Sequence, residues 1–360
     1  LYIGLMSGTS VDGVDAVLAD FAVAPCRTRA RRHVAFGDAL RAELNALQQS
    51  GADELHRAAL AANALMDCCA LAVAGVLADA GVQASDVAAV GLHGQTLRHR
   101  PELGFTTQLA NPARLAEACN IAVVADFRSR DVAAGGQGAP LAPALHAALF
   151  RDPQRHRVVL NIGGIANVTD LPPQGVVRGF DTGPGNTLLD AWCLRHTGQA
   201  FDRDGAWAVT GRPIPALQEA LRAEAYFALP PPKSTGRDRF NLRWLEARLQ
   251  PAYAAADVQR TLVALTASSI ADVIAQHCAG AAEVLVCGGG AHNAALLRDL
   301  ASHLGARTLA TTAAYGVPVN DVEALAFAWL ARETLAGRPG NLPAVTGARG
   351  SRVLGAVYPA

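Results

Sequence analysis

The chain has 360 residues, a length that predicts about two domains. Hydrophobic residues make up 51% of it and charged residues 17%, which excludes an intrinsically disordered chain and supplies the apolar side chains for sizeable cores. Lys plus Arg and Asp plus Glu number 31 each, so the net charge is zero and no basic stripe indicates a nucleic-acid partner.

The cysteines and the apolar runs indicate the cellular compartment in which the protein is expected. Seven cysteines without a CxxC spacing favour a reduced, cytoplasmic environment. The longest apolar run, 68–78, is too short to span a bilayer, and the N-terminus has the pattern of a strand rather than of a signal peptide. We therefore expect a cytoplasmic protein without a membrane partner.

In chain order, the first half begins with two apolar strands, at 2–6 and 16–21, joined by a glycine-rich turn. A polar, Arg-rich stretch follows, for which no element is predicted. Hydrophobic spacing then predicts helices near 37–49 and 53–80 and short strands at 87–92 and 121–126.

The turn at 8–15 combines residue types suited to phosphate and cation binding. Its glycines permit tight backbone geometry, its hydroxyls can donate hydrogen bonds, and its aspartates can accept them from waters around a cation. Exposed backbone N–H groups in such turns hold phosphate oxygens, although a plain hairpin turn is the alternative. The candidate residues are Gly8, Thr9, Ser10, Asp12, Gly13 and Asp15.

The second half repeats this arrangement. Strands at 158–162 and 168–171 flank Gly163 and Gly164, and this repetition favours phosphate binding over plain hairpins. Strands alternate with helices from there on, which predicts an α/β protein. The later elements are strands at 176–180, 284–287 and 307–311 and helices near 186–196, 214–226, 241–250, 257–278, 293–304 and 320–335.

Asp181 follows the strand at 176–180 and is predicted at its carboxyl end, where α/β folds place ligands. A carboxylate there can take a proton from a nucleophile or hold metal-bound water. Gly183 and Gly185 keep side chains away from it. The helix begins only near Asn186, which weakens the alternative that Asp181 is a helix N-cap.

A run of three glycines, Gly288, Gly289 and Gly290, lies between a buried strand and a helix but lacks GxGxxG spacing. It either lets the backbone approach an adenosine or its phosphate, or forms a tight strand-to-helix turn. No Walker A pattern precedes Lys233, the only lysine of the chain, which disfavours a P-loop NTPase. Lys233 itself is either functional or a solvated loop residue.

Polar residues near strand ends and on one apolar helix are candidates for substrate binding. They are His93, Arg128, Arg130 and Glu323. The alternatives are a structural histidine, salt bridges of the arginines with Asp126 or Asp131, and an exposed helix face for the glutamate.

Glycine-rich sequence at 133–140 and Gly- and Pro-rich sequence at 337–350 predict two junctions, with ordinary surface loops as the alternative. We predict an N-terminal lobe of 1–130, joined by the C-terminal segment 340–360, and a C-terminal lobe of 131–339.

Ten segments of the chain carry a specific family pattern. They are GLMSGTSVDGVDAVL (4–18), HGQT (93–96), DFRSRD (126–131), GGQGAPL (135–141), NIGGIANVT (161–169), GFDTGPGN (179–186), PKSTGRDRFN (232–241), CGGGAHN (287–293), GVPVNDVEALAFAWLA (316–331) and VLGAVYP (353–359). In these segments the chain resembles the anhydro-N-acetylmuramic acid kinase family along its whole length. So many specific segments in one order make coincidence remote.

The resemblance implies a two-lobed actin/hexokinase/Hsp70-type fold with a central ATP cleft. It implies that ATP and water convert 1,6-anhydro-N-acetylmuramic acid to N-acetylmuramic acid 6-phosphate and ADP, in the recycling of cell-wall peptidoglycan. It also implies a homodimer.

The resemblance leads to hypotheses about the roles of particular residues. Asp181 is expected to act as general base, and Mg²⁺ to bind near Asp12 and Asp181. Arg128 and Arg130 are expected to meet the lactyl carboxylate, and His93 and Glu323 the sugar hydroxyls or the acetamido group. The residues expected around ATP are Gly8, Thr9, Ser10, Asp12, Gly13, Asp15, Gly163, Gly164, Gly183, Gly185, Asn186, Gly288, Gly289, Gly290 and Asn293.

Three other functions remain open at this point. An Hsp70-like ATPase module would need an interaction segment, and a glycosidase-like protein would use Asp181 and Glu323 without ATP. A plain hexose kinase shares the fold and the phosphate turns, and only a sugar assay separates it.

Overall fold

The structure is a computed structural model with two compact units. The described residues are 1–8, 10–23 and 26–360. The first unit comprises 1–149 and 316–360, and the second comprises 150–315.

Strands and helices alternate along the chain. The strands are β1 (Tyr2–Met6), β2 (Gly13–Asp20), β3 (Arg27–Ala35), β4 (Ala89–Leu92), β5 (Gln95–Arg100), β6 (Phe105–Leu109), β7 (Val123–Ala125), β8 (Arg157–Ile162), β9 (Ile165–Leu171), β10 (Arg178–Pro184), β11 (Glu283–Cys287), β12 (Thr308–Thr311) and β13 (Ala356–Tyr358). The helices are α1 (Asp38–Ala46), α2 (Glu54–Ala80), α3 (Pro112–Cys119), α4 (Ser129–Ala133), α5 (Ala142–Phe150), α6 (Thr187–Thr197), α7 (Pro215–Arg222), α8 (Ala225–Ala228), α9 (Leu242–Glu246), α10 (Ala255–His277), α11 (Ala294–His303), α12 (Val322–Leu335) and α13 (Pro343–Thr346).

The main sheet of the first unit has the strand order β13-β7-β4-β1-β2-β3. The hairpin β1–β2 and its neighbour β3 are antiparallel, whereas β4 and β7 add in parallel on the other side of β1. Side chains alternate between the two faces, so Ile3 and Leu5 join the core cluster that includes residues of α2.

Helix α12 packs on the opposite face of this sheet, against β1, β2 and β4. Gly4 and Gly91 make that approach close. A Cβ atom on Gly4 would lie 1.8 Å from the carbonyl oxygen of Ala324, and one on Gly91 would lie 1.9 Å from that of Phe327. The helix backbone therefore rests on two adjacent strands where no side chain intervenes.

The sheet of the second unit has the order β10-β9-β8-β11-β12. Again an antiparallel trio, β10-β9-β8, is continued by two parallel strands. Helix α10 is largely buried in the core of this unit and contacts α6, α7, α11 and β10.

The same five-strand pattern thus occurs in both units, as β3-β2-β1-β4-β7 and as β10-β9-β8-β11-β12. The predicted α/β class and the pair of glycine-turn hairpins are confirmed. This duplicated sheet is the one expected for the actin/hexokinase/Hsp70-type fold, and the predicted fold class is confirmed with it.

Some elements differ from the sequence prediction. The Arg-rich stretch for which no element was predicted forms β3, an edge strand that pairs with β2 along its whole length. The hairpin of β5 and β6 was also missed. An edge strand needs no apolar run, because its charged side chains remain in solvent while its backbone pairs on one side.

The two compact units also differ in extent from the predicted lobes 1–130, 131–339 and 340–360. Residues 316–339 group with the first unit because α12 packs on its sheet. Residues 131–149 group with it as well, and Asp131 is hydrogen-bonded to Asn341 and Thr346 of the same unit. The glycine-rich segment at 133–140 lies within this unit rather than at its boundary.

Two helices, Glu54–Ala80 and Ala255–His277, are long and apolar enough to cross a membrane by length and composition alone. The apolar run at 68–78, which was judged too short to span a bilayer, is only part of the first of these helices. Both helices contribute to the core of their own unit, and the second is mostly buried there, as core helices of soluble proteins are. All seven cysteines are free thiols.

Candidate active site

In the first unit the parallel strands β1, β4 and β7 end at one edge of the sheet. The residues that follow them, Ser7 and His93 among them, therefore lie near one another. The Ser7 hydroxyl donates to Gln95 Oε1 at 2.5 Å, and Gln95 Nε2 donates to the carbonyl oxygen of Gly8 at 3.2 Å. The start of the first glycine-rich turn is thus tied to the start of β5.

The turn itself is held by its own side chains. Ser10 Oγ donates to Asp12 Oδ1 at 2.7 Å, and both residues are exposed. Asp15 Oδ1 lies 2.9 Å from Nδ1 of His33 on β3. Gly13 has a packing role, because a Cβ atom there would lie 2.5 Å from the carbonyl oxygen of Val34. Thr9, also predicted to bind the nucleotide, lies outside the described residues.

His93 is buried and uses both ring nitrogens within the first unit. Its Nδ1 lies 3.2 Å from the carbonyl oxygen of Ser7 and therefore carries the proton, while Nε2 accepts from Arg128 Nη2 at 3.0 Å. Burial, with the Arg128 charge second, lowers the pKa of His93 to about 3. The imidazole is consequently neutral, and it connects the glycine-rich turn to Arg128 rather than offering a nitrogen to a sugar.

Arg128 is half-buried and oriented from two sides, since its Nη1 also donates to the carbonyl oxygen of Gly138 at 2.8 Å. Burial lowers the pKa of Arg128 to about 10, and the charge of Glu323 opposes that shift. The structure therefore brings His93, Arg128 and Glu323 together. Arg130, by contrast, is exposed on α4.

Asp126 and Asp131 do not pair with these arginines among the described residues. The Asp131 carboxylate is fully buried and accepts from the Gly138 N–H at 2.8 Å, from Asn341 Nδ2 at 2.6 Å and from Thr346 Oγ1 at 2.8 Å. Asp131 therefore secures the loop that carries the Gly138 carbonyl, one of the two acceptors that orient Arg128.

In the second unit the turn Gly163–Gly164 lies directly beside the residues that follow β10. The N–H groups of Gly185 and Asn186 donate to the carbonyl oxygens of Gly164 and Gly163 at 2.9 and 2.8 Å. A Cβ atom on Gly185 would lie 2.4 Å from the Gly163 carbonyl oxygen. Because these two N–H groups are used internally, Gly185 and Asn186 shape the turn instead of donating their N–H groups to a phosphate.

The three-glycine run joins the same edge of the sheet. A Cβ atom on Gly288, where φ is 82°, would lie 2.3 Å from Asn161 Oδ1, and one on Gly290 would lie 2.3 Å from Ile162 Cγ2. A Cβ atom on Gly289 would lie 3.6 Å from Asn186 Nδ2. These glycines allow the turn to lie against the end of β8.

Asn293 has a separate structural role at the start of α11. Its Oδ1 accepts from the N–H of Leu296 at 3.0 Å, so it is the N-cap of that helix.

Asp181 lies within β10 rather than at its end, because the strand continues to Pro184. The register shifts between Asp181 and Gly183, where Gly183 has φ of 153°. This bulge changes the direction of the strand beside the turn Gly163–Gly164. The predicted strand ended too early because a glycine-rich, bulged strand lacks the apolar alternation of a regular one.

The Asp181 carboxylate is partly buried and held on one side. Its Oδ2 accepts from the Thr235 N–H at 2.9 Å, and among the described residues no hydrogen bond reaches Oδ1. Burial raises the pKa of Asp181 to about 6, against the lowering effect of the Thr235 N–H. A carboxylate with one oriented oxygen and a pKa near neutrality is suited to general-base catalysis.

Sequence reasoning missed the residues that surround Asp181. Besides Thr235, the Tyr226 hydroxyl donates to the Asp181 carbonyl oxygen at 3.1 Å, and the Asp181 N–H donates to the Lys233 carbonyl oxygen at 3.0 Å. Lys233 is buried, so its interpretation as a solvated loop residue is wrong. The sequence signals for this segment were the single retained lysine and the family segment PKSTGRDRFN (232–241), neither of which indicated a contact with Asp181.

Asp190 on α6 was missed as well. Burial raises the pKa of this carboxyl group to about 6, and the charge of Arg237 opposes the shift. Arg237 also lies near the turn Gly163–Gly164, since a Cβ atom on Gly164 would lie 3.5 Å from its Nη2. Cationic and acidic groups thus accompany the glycine turn of the second unit.

The family model for anhydro-N-acetylmuramic acid kinase matches residues 1–360. The chain belongs to this family. The kinase of Cupriavidus pinatubonensis that carries the family name is 57% identical over 367 residues, covering 99% of this chain and 98% of that relative. The one of Bordetella petrii is 58% identical over 366 residues, covering 100% and 96%. The predicted family is thereby confirmed.

Solved structures of more distant proteins align less closely. A ROK family glucokinase from Streptomyces griseus in complex with glucose and AMPPNP has a TM-score of 0.43 and 14% identity, covering 92% of this chain and 99% of that one. Component A of the Acidaminococcus fermentans (R)-2-hydroxyglutaryl-CoA dehydratase has a TM-score of 0.47 and 15% identity, covering 88% and 92%. These identities and TM-scores are too low to indicate a function for this chain.

Each unit contains candidate residues in segments that resemble the family. In the first unit they are the Ser7–Asp15 turn and the group of His93, Arg128 and Glu323. In the second unit they are Asp181 and the turn Gly163–Gly164. Among the described residues there is no group of three or more His, Cys, Asp or Glu side chains that could hold a metal ion by itself.

Proposed function

We propose that this chain uses ATP and water to convert 1,6-anhydro-N-acetylmuramic acid to N-acetylmuramic acid 6-phosphate and ADP, with Asp181 as the general base. Membership of a kinase family over the full chain supports the reaction class. The observation that carries the mechanism is the Asp181 carboxylate, with one oxygen fixed by the Thr235 N–H and a pKa of about 6.

Asp181 takes a proton from a water molecule as that water forms a bond to the anomeric carbon. The bond from that carbon to O6 breaks, and O6 takes the γ-phosphoryl group of ATP, which leaves ADP. An inverting glycosidase needs a second carboxyl group to protonate its leaving oxygen. Here phosphoryl transfer to O6 takes the place of that proton, so a single essential carboxylate suffices.

The phosphate groups of ATP are assigned to the two glycine-rich turns. The N–H groups of Gly185 and Asn186 hold the Gly163–Gly164 turn. The backbone of the turn itself is therefore the part that we assign to phosphate binding. The Gly8–Asp15 turn presents the exposed Ser10 and Asp12 side chains. We assign the adenosine end to the Gly288–Gly290 turn, in which Gly289 is the exposed residue.

We assign Mg²⁺ to the exposed Asp12 carboxylate together with phosphate oxygens, because protein sites for it consist of one or two carboxylates completed by phosphates and water. Asp181, near which the ion was also expected, is not assigned as a ligand, because its Oδ1 is the oxygen that takes the proton. When bound, the ion neutralises charge on the transferred phosphoryl group.

Arg128 is the residue we assign to the lactyl carboxylate, because guanidinium groups bind carboxylates in a bidentate manner. His93 and the Gly138 carbonyl oxygen orient its side chain. Glu323 is assigned to the sugar hydroxyls. We further propose a cytoplasmic homodimer that works in peptidoglycan recycling.

The experiment is a product assay with purified protein, Mg-ATP and either 1,6-anhydro-N-acetylmuramic acid or glucose, followed by mass spectrometry. We expect ADP and a sugar 6-phosphate in equal amounts with the anhydro sugar only. Phosphorylation of glucose instead would identify a hexose kinase, and ADP release without any sugar phosphate would identify an ATPase; either result contradicts the proposal.

A further inference from the structure

The only lysine of the chain is placed against an aromatic ring and two carbonyl groups. Lys233 is 8% exposed, although it lies in a segment with Pro230, Pro231 and Pro232 before it. Its Nζ donates to the carbonyl oxygens of Tyr226 and Phe227, both at 3.3 Å.

The ammonium group also lies over the Tyr226 ring, 4.7 Å from its centroid, in a cation–π contact. Among the described residues Lys233 has no carboxylate partner within ion-pair distance. A cation held by carbonyls and a ring alone is costly to bury, and burial lowers the pKa of Lys233 accordingly. Because a lysine that serves only solubility would remain in solvent, the buried position of Lys233 indicates a structural or functional role.

The Lys233 side chain closes a loop of chain around Asp181. At one end of the loop, the Tyr226 hydroxyl donates to the Asp181 carbonyl oxygen. At the other end, the Lys233 carbonyl oxygen accepts from the Asp181 N–H, and the Thr235 N–H donates to Asp181 Oδ2. The Lys233 ammonium group joins these two ends directly.

We propose that Lys233 is a positioning residue for Asp181: by tying α8 to the segment 233–235, it fixes the Thr235 N–H that orients the catalytic carboxylate. The ammonium group itself does not act on the carboxylate, whose pKa responds to burial and to Thr235. The expected effect of Lys233 on turnover rests on the proposed function, whereas its expected effect on the Asp181 carboxyl group does not.

Other charged groups near this loop must be considered in any titration. Arg239 lies 5.4 Å from the centroid of the Tyr226 ring, on which Lys233 also lies. His277, at the end of α10, has its pKa lowered by burial first and by the Lys233 charge second. The Tyr226 hydroxyl has a raised pKa, chiefly through burial and then through the charge of Asp181.

The test compares Lys233→Met, which keeps side-chain length but removes the charge and the donors, with Lys233→Arg. We expect kcat of Lys233→Met to fall about tenfold to a hundredfold, as small displacements of a catalytic group do, while KM for ATP changes less than about threefold. Lys233→Arg retains donors and a cation over the ring, so it should recover most of the lost kcat.

A ¹³C NMR titration of the Asp181 carboxyl group, assigned by its absence in Asp181→Asn, needs no turnover. Loss of the Thr235 hydrogen bond should raise the Asp181 pKa in Lys233→Met and leave it near the wild-type value in Lys233→Arg. The wild-type protein, assayed in parallel, shows whether the proposed reaction takes place. A wrong substrate assignment and a wrong positioning role for Lys233 therefore give different results.

Arg203→Met is the control. Arg203 is another cation of this unit over an aromatic ring, 5.5 Å from the Phe201 ring centroid, and no described contact joins it to α8 or Asp181. We expect wild-type kcat and an unchanged Asp181 titration in this variant.

Wild-type kcat together with an unchanged Asp181 titration in folded Lys233→Met would overturn the proposal. Should Lys233→Met not fold, Tyr226→Phe removes the hydroxyl bond to Asp181 and keeps the ring and carbonyl that Lys233 binds. A lowered kcat with a shifted Asp181 titration in Tyr226→Phe supports the loop as the positioning device, and wild-type values of both overturn it.

Discussion

The two units use the same strand order but organise the residues at their strand ends differently. In the first unit, Ser7, His93 and Arg128 form a continuous network in which each polar group already has a partner. In the second unit, Asp181 has one oxygen held by Thr235, and none of the described residues donates a hydrogen bond to the other. In the function we propose, the duplicated scaffold thus carries a preorganised binding group in one unit and a reactive carboxylate in the other, and the difference lies in the side chains rather than in the topology.

Removal of the Asp181 carboxylate is the most severe test of this contrast. Asp181→Asn should lower kcat about 10²–10⁴-fold, the range of general-base catalysis, with ATP affinity retained. Product formation followed by mass spectrometry and calorimetric ATP binding measure the two effects. Asp272→Asn, an exposed acid of the same unit that pairs with Arg222, is the control. Turnover at the wild-type rate in Asp181→Asn would refute the base assignment.

The arginines of the first unit should differ in importance. Arg128→Ala should raise KM for the sugar about tenfold to a hundredfold, since hydrogen bonds to charged groups contribute about 1.5–3 kcal/mol. Arg130→Ala should change KM less than about threefold, because Arg130 is exposed and not oriented by the network. Steady-state kinetics decide between them, and an equal effect of both substitutions contradicts a preorganised site centred on Arg128.

The pH dependence of kcat/KM should reflect the reactive side. Asp181 must be deprotonated to accept a proton, and its pKa is raised to about 6. Activity should therefore be complete above that pH and fall about tenfold per pH unit below it. His93, with its pKa lowered to about 3, should add no second limb between pH 5 and 8. A limb near pH 4 would indicate a carboxylate that burial does not perturb.

His93 provides the mildest test. His93→Gln should raise KM for the sugar about threefold to tenfold, because Arg128 loses one of its two acceptors while the carboxylate that performs the chemistry is untouched. The kcat should stay within about threefold of wild type. Kinetics with the sugar varied at saturating ATP measure both, and a loss confined to kcat would show that His93 serves the reaction step instead.

The sequence predicted the parts of the fold that depend on local pattern. The two hairpins and α2, α10 and α12 follow from apolar spacing and glycine turns, and they occur within a few residues of their predicted bounds. Strand β3 was not predictable in that way, because its alternating arginines suit an exposed edge as well as they suit a loop.

The sequence singled out candidate site residues, but it did not predict the contacts that the structure gives them. Asp181, Arg128 and His93 could be singled out from their places after predicted strands. Thr235, which orients Asp181, is 54 residues away in sequence, and the pairing of His93 with Arg128 spans 35. Such long-range contacts depend on tertiary packing, which no local pattern encodes, and they decide the pKa values and the free atoms of the site.

The most direct test of the central claim is the fate of the water oxygen. Wild-type protein, Mg-ATP and 1,6-anhydro-N-acetylmuramic acid are allowed to react in ¹⁸O-labelled water, and the products are analysed by mass spectrometry beside those of Asp181→Asn. The account predicts a sugar 6-phosphate that carries the label on its anomeric oxygen before exchange, and its absence in Asp181→Asn. Label found in the phosphate instead, or an equal yield from the variant, would contradict it.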